Sequence, residues 1–450
     1  MQVDLTKGAV AKNILIFAVP MICGNLLQQL YNVVDTLIVG KFLGERALAA
    51  VGSSYTLLTF LTSVFLGMCM GCGAVFSVRY GEKAWDHLKE NIFTSFIMIA
   101  VFAVLVNGAV YLLIDRIMYL LNVPKDIYPM MREYLWVIFG GITATFLYNF
   151  FASLLRAVGN SVIPLVFLGI SAVINIVLDL LFVLSFHWGV WGAAAATVFA
   201  QWISGIGSMV YTLLKCPMLR PSRQQMRIRA AGIKELLSAS ILTCMQQSVM
   251  NFGILMVQGL VNSFGSVVMA AFAAATKIDS FAYMPLQDFG NAFSTFVAQN
   301  YGAGEEKRIR KGIRASLTMM LVFAGIVSAI VFLFAEPFLL LFIHREETQI
   351  LSVGMNYLRI VGVFYFGIGG LFMLYGLYRA LNRPGMSLVL TFFSLGTRVA
   401  LAYLLSAIPS VGVIGIWWAV PIGWLLADFV GVTYYLRRCR TKQGSKPGTL

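Results

Sequence analysis

The chain has 450 residues, 59% of them hydrophobic and 12% charged, a balance outside the range of soluble globular domains. Its formal net charge of +14 would suit a nucleic-acid partner, and its six Cys could suggest a disulfide framework. Both readings fail on distribution: the basic residues cluster between long apolar stretches, and most of the Cys lie inside those stretches.

A hydrocarbon core of ~30 Å needs roughly 20 helical residues to cross it. In chain order the apolar stretches predict spans at 14–40, 47–78, 92–114, 131–155, 161–185, 189–214, 236–262, 267–299, 315–343, 353–380, 386–408 and 412–436. With no water at that depth each segment must satisfy its own backbone, so helices are expected. The alternating segments of about ten residues that build a β-barrel are absent. The first stretch is too long for a signal-peptide core and lacks a small-residue cleavage site, so it is kept as the first span.

The second half repeats the first. Tyr80-Gly81 recurs as Tyr301-Gly302, and Gly44 with Ala49-Ala50 as Gly265 with Ala270-Ala271, at an offset of 221 residues. Arg156-Ala157 recurs as Arg379-Ala380, and the Gly189–Gly192 run as Gly412–Gly415, at 223. Helical repeats of this kind are a transporter signature. The expected fold is an all-α polytopic membrane protein with about 12 transmembrane helices in two pseudo-symmetric six-helix lobes. The lobes are drawn at 1–214 and 235–436, with a basic linker at 215–234 and a basic tail at 437–450. Six spans per lobe is an even number, so the repeat is parallel. With the amino terminus inside, inner connections carry 24 Lys and Arg against 7 outside, which places both termini in the cytoplasm. The basic runs at 81–89 and 302–314 are expected to begin short amphipathic helices on the inner membrane surface.

The polar residues within the spans carry the functional argument. Asn25, Gln28, Asn32 and Asp35 follow at steps of 3, 4 and 3 and share one face of the first span. Ser171, Asn175 and Asp179 do the same in the fifth. Both spans run outward, and Asp35 and Asp179 lie at one depth, about five and six residues from the outer ends. Such a pair can share a proton or hold a cation. Alternatively, a rim carboxylate could cap a helix or meet Arg46.

The second half departs from this pattern. Its stripe Gln247, Asn251 and Gln258 carries no acid, and Arg398 and Ala402 stand at the positions matching Asn175 and Asp179. Lys277, Asp279, Asp288 and Arg398 could neutralise one another, with Asp279 and Arg398 as the preferred pair, in a structural or a functional role. Met245, Met250, Met256, Phe281, Tyr283 and Met284 near this stripe suit a cavity for varied amphipathic or cationic ligands, or plain packing. Pro20, Pro164, Pro285 and Pro421 interrupt the helical ladder; Pro20 shares its span with Asp35 and is a candidate hinge, unless it sits in a first turn.

Cys69-Met70-Gly71-Cys72 has redox or metal spacing, but it lies within a span whose Ser63, Gly67 and Gly71 read as small-residue helix packing. No HExxH, GxxxxGK[ST] or nucleophile elbow is present, so neither an enzyme nor an ATPase is indicated, and an ion gradient is the expected energy source.

At Pro20 to Gly40 with Gln28-Gln29, Tyr31 and Val34-Asp35, at Arg156-Ala157-Val158-Gly159-Asn160, at Asn175 with Asp179 and at Gln299-Asn300-Tyr301-Gly302-Ala303, the chain resembles the multidrug and toxic compound extrusion (MATE) family. The resemblance runs over nearly the full length. It implies a secondary antiporter that exchanges H+ or Na+ for small organic cations or amphipathic compounds, without a cofactor, as a monomer in the bacterial inner membrane. It places an ion site on Asp35, Asn175, Asp179 and Thr197. One branch also uses carboxylates in the seventh and tenth spans; none stands there in this sequence, which is similar to the DNA-damage-inducible (DinF-like) branch. The substrate cavity is then expected to involve Gln28, Asn32, Gln247, Asn251, Lys277, Asp279, Tyr283, Met284 and Arg398. A lipid-linked saccharide flippase on the same architecture is the alternative. Lys277 and Arg398 are compatible with it, and the Asp35–Asp179 pair argues against it.

Overall fold

A computed structural model of the chain describes residues 3–120 and 123–439. All regular structure among them is helical. Eleven helices are long and apolar enough to cross a membrane, and a bent pair makes a twelfth span. Large apolar side chains are exposed along them, Leu112 by 86% and Leu37 by 64%. In water such a surface would be an aggregation hazard; in a bilayer it faces its solvent.

The first half consists of α1 (Val10–Leu43), α2 (Glu45–Gly81), α3 (Trp85–Leu120), α4 (Tyr128–Ile138), α5 (Ile142–Ala157), α6 (Val162–Asp179) and α7 (Gly189–Lys215). A single 3-10 turn, Phe139–Gly141, joins α4 to α5 within one span. The second half consists of α8 (Ala230–Asn262), α9 (Ser266–Gly302), α10 (Glu306–Leu333), the short α11 (Ala335–Leu339), α12 (Thr348–Val363), α13 (Tyr365–Ala380), α14 (Pro384–Ser406) and α15 (Val413–Tyr434). Here α12 and α13 form the bent pair, at 52°.

The repeat is visible in the backbone. Four pairs of positive φ values recur between the halves: Gly44 (86°) and Gly265 (92°), Lys83 (58°) and Gly304 (72°), Gly159 (86°) and Asn382 (57°), Gly189 (60°) and Gly412 (51°). Every pair keeps the offset of 221 or 223 residues found in the sequence. Gly44 and Gly265 combine this φ with an extended ψ (179° and 173°), a region open only to glycine, so each starts its helix with the same sharp turn. Packing repeats as well: α2 packs on α5, α4 and α5 on α7, and α6 on α7, as α9 packs on α13, α12 and α13 on α15, and α14 on α15.

Two compact units result. One holds residues up to Asp4 with Val19–Cys244, the other Leu5–Ala18 with the chain from Met245 onward. The borders of these units fall inside α1 and α8, whereas the sequence reading draws its one division at the linker 215–234. Close packing draws the start of α8 into the first unit: a Cβ on Gly67 or Gly71 would come within 2.6 Å of Cys244 Cα or 2.5 Å of the Ala239 carbonyl. The Arg79 guanidinium also donates to both Glu235 oxygens, at 2.9 and 2.8 Å. In the second unit, Arg308 and Asn300 donate to the carbonyls of Leu5, Lys7 and Gly8.

Other expectations need correction. The basic stretches at 81–89 and 302–314 do not form separate surface helices: after tight turns they become the first turns of α3 and α10, which run on without a breaker. The ninth span ends at Leu333 rather than 343, because the chain breaks at Phe334 before α11. Pro164 lies in the first turn of α6, whereas Pro20, Pro285 and Pro421 lie within α1, α9 and α15, so a first-turn role for Pro20 is excluded. The basic tail falls outside the described residues beyond Cys439. Cys69 and Cys72 are free and buried, and the Cys72 thiol meets the Ser240 hydroxyl at 3.1 Å. Among the described residues no cluster could hold a metal ion.

Candidate functional site

The α1 stripe forms as the spacing predicts. Gln28, Asn32 and Asp35 are half-buried, while Leu30, Val33 and Leu37 on the opposite side are exposed. On α6, Ser171, Asn175 and Asp179 are buried, Asp179 completely. Ser171 donates to the Ala200 carbonyl of α7 at 2.9 Å, and Asn175 Nδ2 to Thr197 Oγ1 at 3.3 Å. Thr197 spends its own proton on the Ala193 carbonyl at 3.1 Å. These bonds lock the polar face of α6 against α7.

The Asp35 carboxyl lies against that of Asp179, within reach of a hydrogen bond. Asp35 Oδ1, both Asp179 carboxyl oxygens and Asn175 Oδ1 are buried and receive no hydrogen bond among the described residues. Buried acceptors without donors are uncommon in native proteins. Two adjacent carboxylates would also repel unless a proton or cation lay between them. The alternative pairing of Asp35 with Arg46 does not form among the described residues, and Arg46 is exposed. Directly after Asp179 the helix widens into a π turn, Leu180–Ser185, a local distortion frequent at functional sites.

Two tyrosines join this site. Tyr134 of α4 is buried within electrostatic range of both carboxyls, and Tyr31 lies one turn before Asp35. Tyr31 could have been found by its spacing of four from Asp35. Tyr134 carried no such signal, because a lone Tyr in an apolar span reads as packing.

In the second unit the expected Asp279–Arg398 ion pair is absent among the described residues. Asp279 accepts from Tyr365 at 2.8 Å and from Tyr357 at 3.1 Å, one hydroxyl to each oxygen. The carboxylate is thus satisfied by neutral donors, and Arg398 Nε is left buried without a partner. Tyr283 lies near Arg398 and the two tyrosines, and its ring stacks at 6.4 Å on Phe372. Lys277 is exposed, since two residues along a helix turn it away from buried Asp279. Asp288 is buried elsewhere on α9. Gln247 is buried, and Asn251 and Met284 are half-buried.

The stripe reading passed over Asp428 of α15, although any acid within a span was a candidate. Its Oδ1 is buried without a partner, and its carboxyl sits against the Gly370 backbone, where an added Cβ would lie 3.0 Å from Oδ2.

The MatE family model matches residues 20–181 and 239–404. The probable multidrug resistance protein YpnP of Bacillus subtilis (strain 168) is 30% identical over 393 residues, which cover 87% of each chain. The probable multidrug resistance protein YoeA of the same organism is 26% identical over 97% of this chain and 96% of its own. A crystal structure of a MATE in complex with MaL6 shares the fold, with a TM-score of 0.93 at 21% identity over 99% of both chains. A family match across both repeats, with a relative this similar along most of its length, means that the chain belongs to the MatE (MATE) family of multi-pass membrane transporters.

Proposed function

We propose that the protein exports small organic cations or amphipathic compounds in exchange for H+ or Na+, with Asp35 and Asp179 as the coupling pair and Asn175 and Thr197 as its support. One observation carries this reading: four oxygen acceptors on these side chains are buried without a protein donor. An entering proton or cation would satisfy them, and its departure would restore the repulsion. The ion-bound and ion-free states then differ in free energy, which alternating access requires. Pro20, within α1 ahead of Asp35, is the proposed hinge. The drug-resistance names of YpnP and YoeA support the choice of cargo. The charge bias supports a bacterial inner-membrane protein with both termini in the cytoplasm. We place it as a monomer in the DinF-like branch: the tenth span carries no acid, and Glu235, which the sequence put in the linker, lies at the start of the seventh span and is taken up by Arg79.

A lipid-linked saccharide flippase remains the second reading, favoured by Arg398, whose buried Nε has no partner and could meet a phosphate. Efflux of a fluorescent organic cation from proteoliposomes under imposed H+ or Na+ gradients separates the two. Gradient-driven efflux that Asp35→Asn and Asp179→Asn abolish is the expected result, and the effective gradient names the ion. Absence of efflux under either gradient sinks the antiport reading. Efflux that survives both substitutions relocates the coupling site.

A further inference from the structure

Within the first unit, the ends of α2, α3 and α8 and the linker before α8 line an open cavity of about 210 Å³, whose lining includes neither Asp35 nor Asp179. Asn91 and Thr94 of α3 line it and are buried, 6% and 5% exposed. Among the described residues neither side chain forms a hydrogen bond. Ser95 beside them bonds back to the Asn91 carbonyl at 2.6 Å, as hydroxyls in helices commonly do. The Thr94 hydroxyl makes no such bond.

The cavity carries both signs of charge, unequally matched. Its two carboxylates are held: Glu235 by Arg79, and Glu90 by Arg229 at 3.1 Å. Its surplus is in donors. Arg79 Nε is buried without an acceptor, and Arg227 forms no ion pair among the described residues. A tetrahedral anion takes donors from several directions at once, and arginine suits phosphate oxygens especially well. Basic pockets between membrane helices on the cytoplasmic side hold phospholipid headgroups by this chemistry.

We propose that this cavity binds a phosphate ester, with Arg227 and Arg79 Nε on the charged oxygens and Asn91 and Thr94 at its floor. The volume admits the phosphate with the first atoms of its ester, so the source is a lipid headgroup or a soluble phosphate ester. The cavity is lined by residues of both the linker and α8, so occupancy would fasten the linker to α3.

The test uses the full-length protein in detergent, with native mass spectrometry and thermal unfolding against phosphatidylglycerol and, separately, glycerol 3-phosphate. Wild type is compared with Arg227→Gln, Thr94→Val and, as a control on a linker arginine outside the cavity lining, Arg223→Gln. Thr94→Val preserves shape and Arg227 is exposed, so all three variants should fold. Binding weakened roughly tenfold by Arg227→Gln and about threefold or more by Thr94→Val, with Arg223→Gln near wild type, is expected. Binding of the lipid alone identifies a headgroup site; binding of both probes identifies a general phosphate-ester site. No binding by wild type, equal affinity in all four proteins, or an Arg223→Gln loss as large as that of Arg227→Gln would each overturn the proposal.

Discussion

Asn175 Nδ2 donates to Thr197 Oγ1 at 3.3 Å, and this bond fixes which end of the amide is left over. The free end is Oδ1, an acceptor on the same face of α6 as Asp179 and one turn before it. A hydroxyl on α7 thereby helps to keep the site rich in oxygen and poor in donors.

Thr197→Val removes that anchor while keeping the shape of the side chain. The lost bond is worth about 1 kcal/mol, so the half-saturating concentration of the coupling ion should rise roughly fivefold. Ion-dependent efflux in proteoliposomes measures this. An unchanged ion dependence would show that Asn175 holds its orientation without Thr197.

Gly71 has no room for a side chain. A Cβ there would stand 2.5 Å from the Ala239 carbonyl and 2.8 Å from Ser240 Cα, both backbone atoms that cannot rotate away. Gly71→Ala should therefore destabilise the first unit by about 1–3 kcal/mol. A lowered unfolding temperature in detergent is the readout, and Gly52→Ala, with nothing within 4 Å, is the control that should stay near wild type.

Tyr365 and Tyr357 each satisfy one oxygen of buried Asp279. Tyr365→Phe leaves Oδ1 without its 2.8 Å donor, at a cost of about 1–3 kcal/mol in stability. Asp279→Asn keeps an acceptor for one hydroxyl and should cost less. Thermal unfolding of the two variants side by side checks the order, and the reverse order would mean that the acid serves something other than these tyrosines.

Asp428 presents the opposite case. With Oδ1 buried and unpartnered, its charge contributes nothing favourable that the structure shows. Asp428→Asn should raise the unfolding temperature, since it keeps the shape of the side chain and removes a buried charge that no described residue pairs. A lower unfolding temperature in the variant would reveal a stabilising contact. A loss of transport alongside a gain in stability would mark Asp428 as a group retained for function.

That this chain spans a membrane, about how many times, and that its halves repeat can all be read from the amino-acid order. These properties follow from apolar length and from matched anchors such as Tyr80-Gly81 and Tyr301-Gly302, and neither depends on distant contacts. The faces of α1 and α6 were equally legible, because the polar stripes through Asp35 and Asp179 follow helical period alone. Tertiary structure decided what those faces meet. It set Asp35 against Asp179 and brought Tyr134 beside them, and it gave Asp279 to two tyrosines instead of Arg398. It also carried one unit border into α8, through backbone approaches at Gly67 and Gly71, and another into α1, whose preceding residues are held by Arg308 and Asn300. Period tells which residues share a face. Which faces touch depends on crossing points between helices far apart in the chain, and those points are set by small residues and hydrogen bonds that no local pattern records.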